Sequence, residues 1–300
     1  MICEKIKLWK DNNEAYLQTY ILHDSKEFNT GKKRPSIIIC PGGAYFRTTD
    51  REAEPVAIRF ATLGYNTFVL RYNTYYGDKV IDRRNPPPPG NEKTAYPQPL
   101  YDLAQAILTI REKAENWLID TSKIILCGFS AGGHLVSSMG VHWQDELLTS
   151  KFNVDSELFR PRALILGYPL TDYILMKKEA LSDNPGAVAF QEFSNKVVFG
   201  KSNPTEEELM KLSPANYVSD KTPPTFIWHT ANDESVYVSN SLRFATMLTK
   251  YKVPYELHIF ESGVHGLSLA DETTAAKNEH VNPSCQVWFD LAASWLKKHM

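Results

Sequence analysis

The 300-residue sequence is poor in cysteine, and its four cysteines, Cys3, Cys40, Cys127 and Cys285, are scattered. No C-x-x-C pair occurs, which argues against a zinc or thiol-redox site. Reduced, packed thiols are expected instead, with Cys40 and Cys127 at the ends of core strands acting as small hydrophobes. Charge of one sign is also lacking: 33 Lys and Arg against 35 Asp and Glu leave a formal net charge of −2. That balance gives no electrostatic reason to expect nucleic acid or an anionic membrane as partner. No apolar run approaches the roughly 18 residues that span a bilayer. The N-terminal MICEKIKLWKDNNEAY is broken by charges and has no small-residue cleavage site, so secretion by a signal peptide is not expected and a cytoplasmic, soluble protein is. Neither a dinucleotide fingerprint, a metal-ligand cluster nor an internal repeat can be found, so no cofactor and no metal are expected.

What the chain does have is 43% hydrophobic residues, enough for one large core, and a single domain over residues 1–300 is expected. Residues 2–22 alternate polar and apolar around Asp11-Asn12-Asn13, the pattern of an edge hairpin turning at the Asn pair. Ser36-Ile37-Ile38-Ile39-Cys40 is apolar on consecutive positions, as in a parallel strand covered on both faces. Glu54 to Leu63 reads as a helix stopped by Gly64, and Asn66 to Tyr72 as the next strand. A βαβ rhythm follows. Leu103, Ile107, Ile110 and Ala114 give a helix over Leu100 to Trp117, with Asp102 placed to favour its dipole. Further strands are expected at Ala163 to Gly167, Thr225 to His229 and Tyr255 to Phe260, a helix at Leu242 to Lys250, and a closing helix starting near Pro283. Two insertions interrupt this order. Residues 73–99 form a Pro-rich loop expected at the active site, and residues 172–217 a small helical cap.

The chemistry concentrates in three stretches. Ile124 to His134 reads IILCGFSAGGH, in which Gly128-Phe129-Ser130-Ala131-Gly132 fits G-x-S-x-G: a strand running into a helix through a strained turn that exposes the serine hydroxyl. A serine is a poor nucleophile until a base takes its proton and an acid orients that base. Asp233-Glu234-Ser235-Val236 and Glu261-Ser262-Gly263-Val264-His265-Gly266 each follow a strand, at the carboxyl ends where an open parallel sheet gathers its ligands. Either Asp233 or Glu234 could orient His265. Pro41-Gly42-Gly43-Ala44-Tyr45 follows the first core strand, and its glycines let backbone N–H groups approach a ligand closely. His134 and His229 read as structural histidines.

With these motifs the chain resembles an α/β-hydrolase of the esterase/lipase group, close to acetyl-xylan and feruloyl esterase-like members. That family commonly has His-Gly-Gly-Gly and an aromatic where Pro41-Gly42-Gly43-Ala44-Tyr45 stands, an Asp-x-x-Val acid motif matched by Asp233 to Val236, and a His-Gly loop matched by His265-Gly266. The resemblance implies a mostly parallel central sheet of about eight strands with helices on both faces. It also implies a catalytic Ser130, Asp233 and His265, Asp233 being favoured over Glu234 by the spacing. The oxyanion hole would use the N–H groups of Gly43, Ala44 and Ala131. Tyr45, Tyr72 and Tyr96, with Tyr75 and Tyr76 nearby, are expected at the mouth as substrate contacts. The expected activity is hydrolysis of short acyl esters, acetyl above all, on sugars or other small molecules. Its alternatives are an arylformamidase or prolyl peptidase-like amide hydrolase and a non-catalytic module on the same fold. A homodimer is the assembly expected of an enzyme of this size.

Overall fold

The computed structural model describes residues 1–300 except 12–13, 28–30, 80–81, 83 and 184. The strands are β1 (Lys5–Lys7), β2 (Tyr16–Tyr20), β3 (Arg34–Cys40), β4 (Asn66–Arg71), β5 (Ile119–Phe129), β6 (Ala163–Gly167), β7 (Thr225–Thr230) and β8 (Tyr255–Phe260). The helices are α1 (Glu54–Ala61), α2 (Gln98–Glu112), α3 (Ala131–His142), α4 (Glu146–Phe152), α5 (Tyr173–Asp183), α6 (Pro185–Phe199), α7 (Glu206–Lys211), α8 (Ser239–Lys250), α9 (Pro283–Gln286) and α10 (Trp288–His299). One sheet runs β1-β2-β4-β3-β5-β6-β7-β8. It is antiparallel at β1-β2 and β2-β4 and parallel everywhere else.

The consecutive apolar runs explain the layering. Ile37, Ile38 and Ile39 pair with Ile125, Leu126 and Cys127, and Leu126 pairs with Leu164. Because side chains alternate faces along a strand, the same runs feed two cores. Ile38, Leu126, Leu164 and Ile227 pack on one face with Leu103, Ile107, Leu135 and Phe244 of α2, α3 and α8. Ile37, Ile39, Ile125, Phe226 and Trp228 pack on the other with Phe60 of α1 and with Trp288 and Trp295 of α10. The expected parallel sheet with helices on both faces is therefore present, with eight strands.

Several boundaries differ from the sequence expectation. β5 begins at Ile119 because Arg34 and Ile119 pair across a register shift. α2 stops at Glu112, and Leu118, at φ 49°, turns the chain into β5. The closing helix is broken at Val287 into α9 and α10. Asp102 lies inside α2, fully buried, and its carboxylate accepts hydrogen bonds from Trp9 Nε1, Gln98 Nε2 and both nitrogens of Asn73. It joins three segments, a larger task than the expected dipole contact. The hairpin between β1 and β2 is present, but the Asn12-Asn13 turn lies outside the described residues. The described part of the 73–99 segment does not line the cavity beside Ser130: its Tyr75 and Tyr76 amides donate to Tyr45 O and Phe46 O, so it braces the segment after β3. Among the described residues no helix is long and apolar enough to cross a membrane, and no group of three or more His, Cys, Asp or Glu is placed to hold a metal ion.

Candidate active site

The loops after β3, β5, β6, β7 and β8 meet at the carboxyl ends of the strands. Ser130 sits between β5 and α3 at φ 52° and ψ −118°, a strained conformation that a non-glycine residue holds only when its surroundings enforce it. Its amide donates to Gly167 O at 3.0 Å, and its carbonyl accepts from His134 N at 3.0 Å. The flanking glycines are sterically required. A Cβ on Gly128 would lie 2.2 Å from Gly132 O, and one on Gly132 would lie 1.9 Å from Cys40 O. The hydroxyl is thus aimed out of the turn by backbone packing alone.

Ser130 Oγ lies 2.9 Å from His265 Nε2, and His265 Nδ1 lies 2.6 Å from Asp233 Oδ2. The loop after β7 fixes the carboxylate: Asp233 Oδ1 accepts from Ser235 N at 2.8 Å and Val236 N at 3.0 Å. Glu234 is exposed and makes no such contact with His265. Asn232 Oδ1 accepts from Gly263 N, and Thr230 Oγ1 donates to Gly263 O, which ties the Asp233 loop to the His265 loop. Burial by itself would raise the Asp233 pKa, but the His265 and His229 imidazoles outweigh it and hold the carboxyl well below its usual range. For His265, burial opposes the charged form, and the Asp233 carboxylate overcomes it, with help from Glu52, so that its pKa rises above 6.5.

The segment after β3 carries three successive positive φ angles, at Gly43 (123°), Ala44 (54°) and Tyr45 (60°). A Cβ on Gly43 would lie 2.1 Å from Arg47 O. The Gly43 and Ala44 amides donate to no protein acceptor among the described residues, and the amide of Ala131, first residue of α3, is one of the donors that a helix leaves free at its N-terminus. All three residues line a cavity of about 630 Å³ together with Ser130 and His265. Phe46, Tyr173, Met176 and Phe190 give this cavity an apolar wall, the last three from α5 and α6, and Arg47, Thr49, Gln191 and Glu234 give it a polar one.

Of the predicted tyrosines only Tyr45 lines the cavity. Its hydroxyl donates to His134 Nδ1 at 2.6 Å, while His134 Nε2 donates to Leu212 O at 2.8 Å. Burial keeps the imidazole neutral and pushes its pKa down to about 4, although the Leu212 hydrogen bond opposes this. Tyr72 is buried and donates to Pro41 O at 2.6 Å. Tyr96 packs edge-on against His134 at 6.0 Å. Neither lies on the cavity wall. The sequence did not point to three residues that touch the site. His229 donates its Nε2–H to Val236 O at 2.8 Å and lies 3.3 Å from Asp233 Oδ2. Tyr168 packs edge-on against His265 at 5.0 Å. Glu52 lies within the wall beside Gly42. Tyr168 follows a strand as Asp233 and His265 do, a signal that could have found it. Glu52 reads only as one charge of a helix start.

Residues 25–248 match the BD-FAE family. The chain belongs to that family. Its eight-stranded sheet is the α/β-hydrolase fold. The BD-FAE chain is similar to endo-1,4-beta-xylanase B of Butyrivibrio fibrisolvens, 33% identical over 273 residues that make up 88% of this chain and 38% of that protein. It spans less than half the length of the curated relatives it matches. Among solved structures it is similar to the carboxylesterase Cest-2923 of Lactobacillus plantarum, with a TM-score of 0.79, 30% identity, and 99% and 98% of the two chains covered. The acetyl ester-xyloside bifunctional hydrolase of Caldicellulosiruptor lactoaceticus superposes with a TM-score of 0.75 at 33% identity, covering 98% and 96%.

Proposed function

We propose that this chain is a serine carboxylic ester hydrolase acting on short acyl esters, acetyl esters above all, with Ser130, His265 and Asp233 as its catalytic residues. The observation that carries the reading is the unbroken chain of contacts from Asp233 Oδ2 through His265 to Ser130 Oγ, at 2.6 and 2.9 Å, opening on a cavity. His265 Nε2 takes the Ser130 proton as Oγ bonds to the ester carbonyl carbon, and the Gly43, Ala44 and Ala131 amides receive the negative charge on the carbonyl oxygen. The imidazolium then protonates the leaving alcohol as the C–O bond breaks. Water, deprotonated by His265, attacks the acyl-Ser130 carbonyl and releases the acid.

The alcohol portion is proposed to be a sugar. The names of the relatives support this, as does a cavity of about 630 Å³ that an acetyl group would leave mostly empty and whose lining holds both polar and apolar residues. Ser130→Ala is expected to lower p-nitrophenyl acetate turnover by at least about 10⁴-fold, and a fluorophosphonate is expected to label the native chain at Ser130. Turnover unchanged in the variant refutes the mechanism. Octanoate preferred to acetate and butyrate refutes the short acyl group, and N-formylkynurenine turned over faster than any ester replaces the ester reading with an amide one.

A further inference from the structure

Behind the segment that supplies Gly43 and Ala44 lies a carboxylate for which the triad gives no role. Glu52 is 4% exposed. Its Oε2 accepts from Gly42 N at 2.7 Å and from Thr49 Oγ1 at 2.5 Å, and its Oε1 accepts from Tyr168 Oη–H at 2.6 Å. Tyr168 Oη in turn accepts from Ser268 N at 2.9 Å, three residues beyond His265. A Cβ on Gly266 would lie 4.0 Å from Glu52 Oε1, so the carboxylate also abuts the backbone next to His265. No Lys, Arg or His nitrogen pairs with it within 4.0 Å among the described residues. Three neutral donors therefore hold a buried negative charge, an arrangement costly to keep unless the charge has a partner elsewhere.

We propose that Glu52 is a positioning residue of the centre: it locks the Gly42–Thr49 turn to the Tyr168 and Ser268 wall of His265 and sets a second negative charge beside the imidazolium. The proposal rests on the serine-esterase reading above. Its logic is geometric. The Gly43 and Ala44 amides and the imidazole come from loops more than 200 residues apart in sequence, and one carboxylate bonds to the first loop directly and to the second through one hydroxyl. Attack by Ser130 creates an imidazolium and an oxyanion together, so both must be held in register. The groups that face His265 are Asp233 from the β7 loop, Ser130 from the elbow, Tyr168 from the β6 loop and Glu52, with Glu234 and Arg51 on the same cavity wall. Glu52 and Asp233 are the carboxylates that favour the charged imidazole.

Glu52→Gln removes the charge and keeps the shape. Its oxygen can still accept from Gly42 N and Thr49 Oγ1, and its amide N–H can donate to Tyr168 Oη, whose proton is free to rotate. With p-nitrophenyl acetate, kcat is expected to fall about 10- to 100-fold with KM within about threefold, and the acidic limb of kcat/KM to move to lower pH. Tyr168→Phe keeps the charge and cuts the link to Ser268, so kcat should fall while the acidic limb stays in place. A limb unmoved in Glu52→Gln, or moved equally in both variants, overturns the proposal. Melting temperatures of both variants separate a folding defect from these effects, since loss of fold lowers active-site titre without moving the limb. Fluorophosphonate labelling of the native chain keeps the two readings apart: no label at Ser130 sinks the serine reading, whereas label with an unmoved limb sinks only the role of Glu52.

Discussion

Asp233→Asn tests the reading of the site at one atom. Asp233 Oδ1 is committed to two backbone donors, Ser235 N and Val236 N. An amide NH2 at that position would face both, leaving two donors unsatisfied at about 1–3 kcal/mol each. The variant's amide nitrogen is therefore forced to the Oδ2 position, 2.6 Å from His265 Nδ1. Nδ1 must then accept, and the imidazole proton moves to Nε2. Nε2 faces Ser130 Oγ and can no longer take its proton. The expected loss in kcat is about 10³- to 10⁴-fold, equivalent to about 4–5.5 kcal/mol of transition-state stabilisation. The fold should survive, because the Nδ2–H to Nδ1 contact replaces the old bond, although His229 Nε2–H then also meets a donor. Steady-state hydrolysis of p-nitrophenyl acetate, with urea unfolding as the control, measures both quantities. Glu234→Gln, in an exposed side chain, should stay within about twofold. Near-native activity in Asp233→Asn with severe loss in Glu234→Gln would refute the reasoning and move the acid by one residue.

Gly132→Ala drives a Cβ to 1.9 Å from Cys40 O and 2.6 Å from Pro41 O, both backbone atoms that cannot rotate away. Urea unfolding should show a loss of about 3 kcal/mol, and an unchanged midpoint would contradict the packing of the elbow. The acidic limb of native kcat/KM should inflect above pH 6.5, because His265 must be neutral to act as base and its pKa is raised above that value. Activity then rises as pH climbs through the limb, and an inflection below 6.5 would show that burial outweighs Asp233 and Glu52.

Short apolar runs made the sheet legible in the sequence. Ala163–Gly167 falls where β6 does, since a strand buried on both faces is apolar on consecutive positions, and Tyr255–Phe260 falls where β8 does, a partly exposed edge strand that also carries Glu256 and His258. The helix ends were less legible. α2 ends at Glu112 although its apolar spacing continues to Ala114, because the chain must turn at Leu118 to enter β5. The directions of the tyrosines were only partly legible, for a related reason, although Tyr45 does line the cavity. A Tyr- and Pro-rich stretch shows aromatic surface but not its direction, and Tyr72 and Tyr96 face protein rather than the cavity.

By itself the sequence determined the layers, the order of strands and helices, and the short motifs around Ser130, Asp233 and His265. These depend on local sterics and on hydrophobic periodicity, both written in neighbouring residues. The tertiary structure alone decided the contact of Asp233 with His265, how His229 and Tyr168 surround that pair, and that Glu52 joins the β3 loop to the His265 loop. Such contacts connect residues on different loops, separated by 32 positions for Asp233 and His265 and by 116 for Glu52 and Tyr168. Their energy depends on burial and distance, quantities that exist only once the sheet has brought the loops together.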